Sequence, residues 1–250
     1  MHDGQVIEAL GLTKVYAGRT AVNRLSFSVR RGEIFGFLGP NGAGKTTTLL
    51  MLLGLSRPSA GSARVCGIDP IRKAREVKSM VGYLPENVGF YQGMDAVQSL
   101  EYVADLNGID REKTRRKIPE VLETVGLFDE RRKKTGAYSR GMKQRLGIAE
   151  VLLKDPEVMF MDEPTLGLDP DGARRMTDLI RTLNRERNIS VILSSHHLHH
   201  VQKISHRVGI MIKGEMVAEG GMDLLAREKL GVDGKDYSLE ELYMKYFQEV

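Results

Sequence analysis

Three short stretches carry the side chains that could do chemistry. Residues 39 to 46 read GPNGAGKT, a full match to GxxxxGK[ST]. Gly39, Gly42 and Gly44 let the backbone curl until successive N–H groups point inward at an anion, and a helix beginning there adds its positive end. Pro40, Asn41 and Ala43 complete the loop, Lys45 is placed to bridge the β- and γ-phosphates of a nucleotide, and the Thr46 hydroxyl, with Thr47 beside it, to reach Mg2+. The second stretch, EVMFMDEP at 157 to 164, ends an apolar run in Asp162 and Glu163. One carboxylate there can hold the Mg2+ shell while the next faces the γ-phosphate and an attacking water. The third, SSHHLHH at 194 to 200, holds four of the six histidines, with His206 close behind. His196, His199 and His200 could share a helix face at i, i+3 and i+4, so a metal site is geometrically open. No cysteine lies nearby and no carboxylate interrupts the cluster at ligand spacing, which favours a single working histidine, His196. His197, His199, His200 and His206 then read as partly solvated helix and loop residues.

The elements that must position these groups follow from periodicity. AVNRLSFSV (21 to 29) alternates, with Leu25, Phe27 and Val29 on one side and Arg24, Ser26 and Ser28 on the other, which predicts a half-buried strand. EIFGFLG, VGYL (81 to 84), EVMFMD, ISVILSS (189 to 195) and RVGIMI (207 to 212) are short apolar runs and predict strands buried on both faces. Helical patterns at 45 to 54, 170 to 186 and 197 to 204 lie between them, giving an α/β fold with a mainly parallel sheet and a more antiparallel N-terminal edge. In an open parallel sheet the strand ends carrying Gly39, Glu163 and His196 form the edge where ligands bind. From 88 to 155, AVQSLEYVADL, IPEVLETVGL and GMKQRLGIAEVLL have helical spacing and no convincing strand. A helical lobe inserted into one domain is expected there, between core segments 1–87 and 156–220, with Pro119 in the first turn of its helix. The remainder, 221–250, is expected to be a helical tail in which Ser238 and Glu241 form a capping box.

Composition sets bounds. With 250 residues, 41% apolar and 28% charged, the chain is long enough for a sizeable core. A net charge of +4 is too small to argue for nucleic acid, and the basic runs at 115–117 and 131–134 read as solvated faces. One cysteine, Cys66, cannot form an internal disulfide, and MHDGQVIEAL lacks the features of a signal peptide, so a reducing, cytoplasmic setting is expected. The longest apolar runs, such as TLLMLLGL at 48 to 55, fall short of the roughly 20 residues that cross a bilayer.

The order of motifs resembles one family, the ATP-binding subunits of ABC transporters, from about Val6 to about Glu219. Tyr16 in TKVYAG resembles the aromatic that stacks on adenine. GPNGAGKTT resembles the Walker A loop, VGYLPENVGFY stands at the Q-loop, and YSRGMKQR (138 to 145) resembles the signature. MFMDEP is similar to Walker B, TLGLD to the D-loop ending in Asp169, and VILSSHHL to the switch-histidine segment. Two departures stand out: Glu86 where the Q-loop usually has glutamine, and Tyr138-Ser139-Arg140-Gly141-Met142 where the signature is usually Leu-Ser-Gly-Gly-Gln. Glu86 can still offer an oxygen to Mg2+ but cannot donate a hydrogen bond when ionised. Both departures resemble the exporter-type branch, in which LPE and YSxGM are common.

The resemblance implies ATP and Mg2+ as ligands, with Thr46, Glu86 and Asp162 around the ion and Glu163, Lys45 and His196 in catalysis. It implies a head-to-tail pair with a second copy or a paralogue, in which Ser139, Arg140, Gly141 and Met142 cover the partner's nucleotide and Asp169 lies at the dimer contact. It further implies integral membrane transporter subunits as partners, a peripheral place on the cytoplasmic face of the cell membrane, and no nucleic acid. The segment Asn87 to Gln92, with Phe90 and Tyr91, is expected to form part of the groove for a membrane subunit's helix. Two other readings remain at this level: a soluble ABC ATPase in an assembly such as iron–sulfur cluster biogenesis, and a nucleotide-dependent switch with little turnover. The stretch LPENVGFY also resembles the ATPases of nitrous-oxide-reductase maturation transporters.

Overall fold

The computed structural model describes residues 4–231 and 238–248. β1 (Gln5–Tyr16) and β2 (Arg19–Arg30) pair antiparallel; Val22, Leu25, Phe27 and Val29 of β2 are buried. The alternation slips between Val22 and Leu25, where Arg24 has φ 46° and the ladder with β1 shifts register, a bulge that lets both apolar residues face inward. β3 (Ile34–Leu38) leads into α1 (Lys45–Leu52), and β4 (Ala60–Val65) returns to the other edge of β1, giving a three-stranded sheet of order β2-β1-β4.

After α2 (Ala74–Met80) and β5 (Val81–Leu84), the chain enters a long span without a named strand. It contains α3 (Ala96–Leu106), α4 (Arg111–Thr124) and α5 (Arg140–Leu152). Each has its own start signal. Asp95 and Gln98 make a capping box for α3, Asp110 accepts from Glu112 and Lys113 at α4, and Ser139 Oγ accepts from the Met142 N–H at α5. Against the expectation of a first-turn position, Pro119 lies in the interior of α4. The polar run REKTRR hides the true start of that helix, which Asp110 fixes with bonds of 2.9 and 3.0 Å. A mid-helix proline costs about 3 kcal/mol relative to alanine. Here both Pro119 and Arg115, whose carbonyl loses its helical partner, lie on the exposed face, where water can serve the carbonyl.

The second sheet has six strands in the order β5-β6-β7-β3-β8-β9, the rest being β6 (Val158–Asp162), β7 (Ser190–Ser195), β8 (Arg207–Ile212) and β9 (Glu215–Gly220). All its pairings are parallel except β8 with β9. Every residue of β3, β6 and β7 is buried, which is why these segments read as continuous apolar runs. Phe27, Phe35 and Phe37 join the two sheets, with ring centroids 4.9 to 5.7 Å apart. α6 (Pro170–Arg187) follows β6, with Pro170 at its first turn and Asp169 as its cap; α7 (Leu198–Ile204) follows β7.

At the C-terminal end lie α8 (Met222–Leu230) and α9 (Leu239–Gln248). Ser238 and Glu241 exchange both bonds of a capping box, at 3.0 and 3.1 Å. Leu239 and Leu242 are fully buried, each worth about 1.5–3 kcal/mol, and the Leu239 N–H donates to Gln202 Oε1 on α7. Among the described residues no helix is long and apolar enough to cross a membrane.

Candidate active site

Residues 39 to 44 turn β3 back into α1 under tight steric control. A Cβ on Gly39 (φ 156°) would lie 2.3 Å from the Met211 carbonyl oxygen, and one on Gly44 (φ 100°) would lie 2.5 Å from that of Ala21. Lys45 Nζ donates to the carbonyls of Gly39 (2.7 Å) and Pro40 (3.2 Å), closing the loop on itself. No side chain caps α1, and its first residues Lys45, Thr46 and Thr47 line a cavity of about 720 Å³ together with Pro40, Asn41, Gly42, Ala43 and Gly44. An anion at such a helix start gains roughly 0.3–1 kcal/mol when exposed and up to about 2 when partly buried. Tyr16, at the end of β1, lines the same cavity; it is 46% exposed, its hydroxyl 3.1 Å from Ser56 Oγ and Lys14 over its ring.

Parallel pairing of β3, β7 and β6 brings their C-terminal ends together. Asp162 and Glu163 line the cavity; His196 does not, and meets it through Glu163. Thr46 Oγ1 donates to Asp162 Oδ2 at 2.7 Å, and Ser194 Oγ donates to Asp162 Oδ1. Glu163 has a left-handed backbone, φ 48°, a conformation that costs a non-glycine residue about 1–3 kcal/mol. Its N–H is held by both the carbonyl and the hydroxyl of Ser194, each at 3.1 Å. The Glu163 carboxylate is buried. Oε2 lies 3.0 Å from His196 Nδ1 and accepts from the His196 backbone N–H at 3.3 Å; Oε1 stands 3.5 Å from Lys45 Nζ and has no hydrogen-bond partner among the described residues. A buried carboxylate oxygen with free lone pairs is able to accept a proton from water.

Glu86, after β5, also lines the cavity, and its backbone carbonyl accepts from Gln144 Nε2 of α5 at 2.9 Å. Burial pushes the Tyr83 hydroxyl up to about 12, with the negative field of Asp162 and Glu86 adding to it. Hard oxygen donors in a negative field suit Mg2+, which is bound through one or two carboxylates plus substrate phosphates. Thr46, Asp162 and Glu86 fit that requirement.

Ser139, Arg140, Gly141 and Met142 do not reach this cavity. They line a second one, of about 280 Å³, with Asp169 and Gly167. The Arg140 guanidinium packs so closely on Gly167 that a Cβ there would lie 2.7 Å from Nη1, and Gly167 itself has φ 68°. Asp169 caps α6 by accepting from the Gly172 N–H at 3.0 Å. Two of the remaining histidines have polar partners of their own: His200 Nδ1 lies 3.3 Å from Thr165 Oγ1, and His206 Nδ1 accepts from the Ile34 N–H at 2.9 Å. Burial, then the positive fields of His197, His199 and Lys203, hold the His200 imidazole below its usual pKa.

Ser194 escaped the sequence reading, although it ties Asp162 to Glu163. Its signal was present as a pair of serines inside an apolar run, since a buried polar residue in a central strand must find partners.

Residues 22–166 match the model of the family described as ABC transporter. The chain belongs to the ABC transporter family. It is 42% identical over 89% of its length to the bacitracin transport ATP-binding protein BcrA of Bacillus licheniformis, covering 72% of that protein. A solved structure described as the ATP binding subunit of an ABC transporter superposes with a TM-score of 0.84 at 27% identity, covering 97% of this chain and 99% of that one. The fold is also that of the ATP-binding cassette MJ0796, solved as a dimer in a post-hydrolysis state with ADP and Pi (TM-score 0.77, 21% identity, 86% of this chain and 98% of that one). This ABC chain is thus an ATP-binding, ATP-hydrolysing subunit with Mg2+ as its ion, built on the α/β P-loop sheet with an antiparallel N-terminal edge.

Proposed function

We propose that this ABC subunit drives an exporter-type transporter from the cytoplasmic face of the cell membrane, closing head to tail on a second copy or a paralogue. One observation carries the pairing: the Walker A loop and the signature line two different cavities of the same chain. An anion-binding helix start at Ser139 that cannot serve its own chain's nucleotide is suited to a partner's. The similarity to the bacitracin transport ATP-binding protein of Bacillus licheniformis supports a transporter over a soluble assembly.

In the closed pair, residues 39 to 47 would cradle the triphosphate, Tyr16 would stack on the base, and Ser139, Arg140, Gly141 and Met142 of the partner would cover the γ-phosphate, with Asp169 at the contact. Thr46, Asp162 and Glu86 would hold Mg2+, which supplies charge neutralisation on the phosphates. Glu163 takes the proton of the attacking water through Oε1, His196 fixes the carboxylate through Oε2, and Lys45 stabilises negative charge on the transferring group. That Oε1 is buried without a hydrogen bond supports the base role and, with it, turnover rather than a passive switch.

A membrane helix is proposed to dock on 87 to 92. Tyr91 is 61% exposed and meets Tyr102 edge to face at 5.5 Å, whereas Phe90 is partly buried against the core and serves the lobe. The test is Glu163→Gln in the full chain. Hydrolysis should slow by about 100- to 10,000-fold while ATP binding persists and an ATP-bound dimer accumulates. A variant that hydrolyses normally as a monomer would refute both the base and the pair, and crosslinking from position 91 should capture a polytopic membrane protein.

A further inference from the structure

The Walker A end of the 720 Å³ cavity is polar and accounts for a triphosphate, but the cavity extends well beyond it. It is also lined by Tyr16, Arg19, Thr20, Ile212 and Lys213, and by one residue from the other end of the chain, Phe247 of α9. Nothing in the motif pattern points to Phe247. It reaches the cavity because α9 is anchored elsewhere: its capping box sets the helix start, Leu239 and Leu242 are fully buried, and the Lys229 ammonium lies 4.7 Å from the centre of the Tyr246 ring. The Phe247 ring stacks on Tyr243 with centroids 6.0 Å apart and planes tilted by 23°, yet remains 45% exposed. A phenyl ring held by a neighbour and still open to the cavity is a preorganised platform, since the cost of ordering it has been met before any ligand arrives.

We propose that Phe247 is a second nucleobase-binding residue, so that the base of the bound nucleotide is held by aromatic groups from both Tyr16 and α9. The proposal rests on the reading of this cavity as the nucleotide site. Stacking on π faces is indifferent to the hydrogen-bonding edge of the base, so the preference conferred is for an aromatic base over none. It also makes α9 a part of the binding site, ordered on one side by the protein core and on the other by the nucleotide.

The experiment compares the full chain with Phe247→Ala, Phe247→Leu and Phe247→Trp, titrating each by calorimetry with Mg2+ and either a non-hydrolysable ATP analogue or inorganic tripolyphosphate. Loss of one base–aromatic stack predicts affinity for the analogue lowered roughly 5- to 20-fold in the Ala and Leu variants. Tripolyphosphate affinity should be unchanged in all of them. Phe247→Trp should restore analogue binding and, because the chain has no other tryptophan, report it as a change in fluorescence. Equal affinity of the Ala variant and the parent for the analogue overturns the proposal, as does an equal loss for tripolyphosphate, which would mean that α9 merely supports the fold. A parent chain that bound neither probe would instead overturn the nucleotide site itself, and the role of Phe247 with it.

Discussion

His196 Nδ1 lies 3.0 Å from Glu163 Oε2, and the His196 backbone N–H approaches the same oxygen at 3.3 Å. The backbone and the ring of one residue thus both bear on one carboxylate oxygen, while the other, Oε1, has no hydrogen-bond partner among the described residues. The arrangement separates the role of aiming the base from that of being the base.

His196→Ala removes only the ring, so Glu163 keeps the backbone donor and a carboxylate that can still accept a proton. Turnover should fall by about 100-fold, the scale of one positioned donor and the lower bound of the loss expected for Glu163→Gln. The KM for ATP should stay within about threefold. Steady-state kinetics on the two variants side by side would decide; a His196 variant slower than Glu163→Gln would show that the imidazole does more than aim the carboxylate.

Ser194→Ala breaks the hydroxyl link between Asp162 and the Glu163 N–H within a fully buried strand end. Groups that orient metal-holding carboxylates are typically worth 10–100-fold in metal affinity. The Mg2+ concentration giving half-maximal ATPase activity should therefore rise about tenfold or more. Unchanged Mg2+ dependence would reduce Ser194 to a packing residue.

Arg140→Gly restores the residue usual at that signature position and removes a cation from the second cavity. Binding of ATP to the isolated subunit should be unaffected, because the two cavities are separate. ATP-dependent dimerisation in the Glu163→Gln background should weaken about tenfold and depend less steeply on salt, as expected for loss of a charge-assisted contact to phosphate. Sedimentation velocity at two ionic strengths measures both; unchanged dimerisation and salt dependence would mean that Arg140 serves only to pack on Gly167.

Glu150 of α5 supplies a pH signature. Burial raises its carboxyl pKa to about 7, from 4.5. Because the folded-state value is the higher one, this group favours the fold fully below about pH 4.5, and that contribution is lost as pH rises through 7. Glu150→Gln should therefore raise Tm at pH 8, by roughly 2–4 °C for each kcal/mol recovered in a chain of this size, and by progressively less towards pH 5. Thermal melts across that range would show it, and a Tm gain independent of pH would exclude the carboxylate as its cause.

The sheet core was legible because β3, β6 and β7 are buried on both faces and leave unbroken apolar runs. β4, reading AGSARV with four of six residues exposed, has no clear alternation and only Val65 fully buried, so little in its own sequence marks it as a strand paired with β1. Asp110 caps α4 nine residues before Pro119, under a polar run that conceals helical period. At the site, the phosphate loop and the acid pair stood out because their chemistry needs fixed residue types at fixed spacing. The left-handed backbone of Glu163 and the arrival of Phe247 in the cavity that Tyr16 also lines are tertiary outcomes, invisible in local sequence.

Because the phosphate loop and Ser139 open into different cavities, the proposed pairing makes the rate law second order in dilute protein. Specific activity should climb with subunit concentration and then level off. Mixed pairs would also complement unevenly: a subunit lacking its Arg140 contact damages its mate's compartment and spares its own, so co-expressing it with a Lys45 variant concentrates both lesions in one of the two compartments and leaves the other whole.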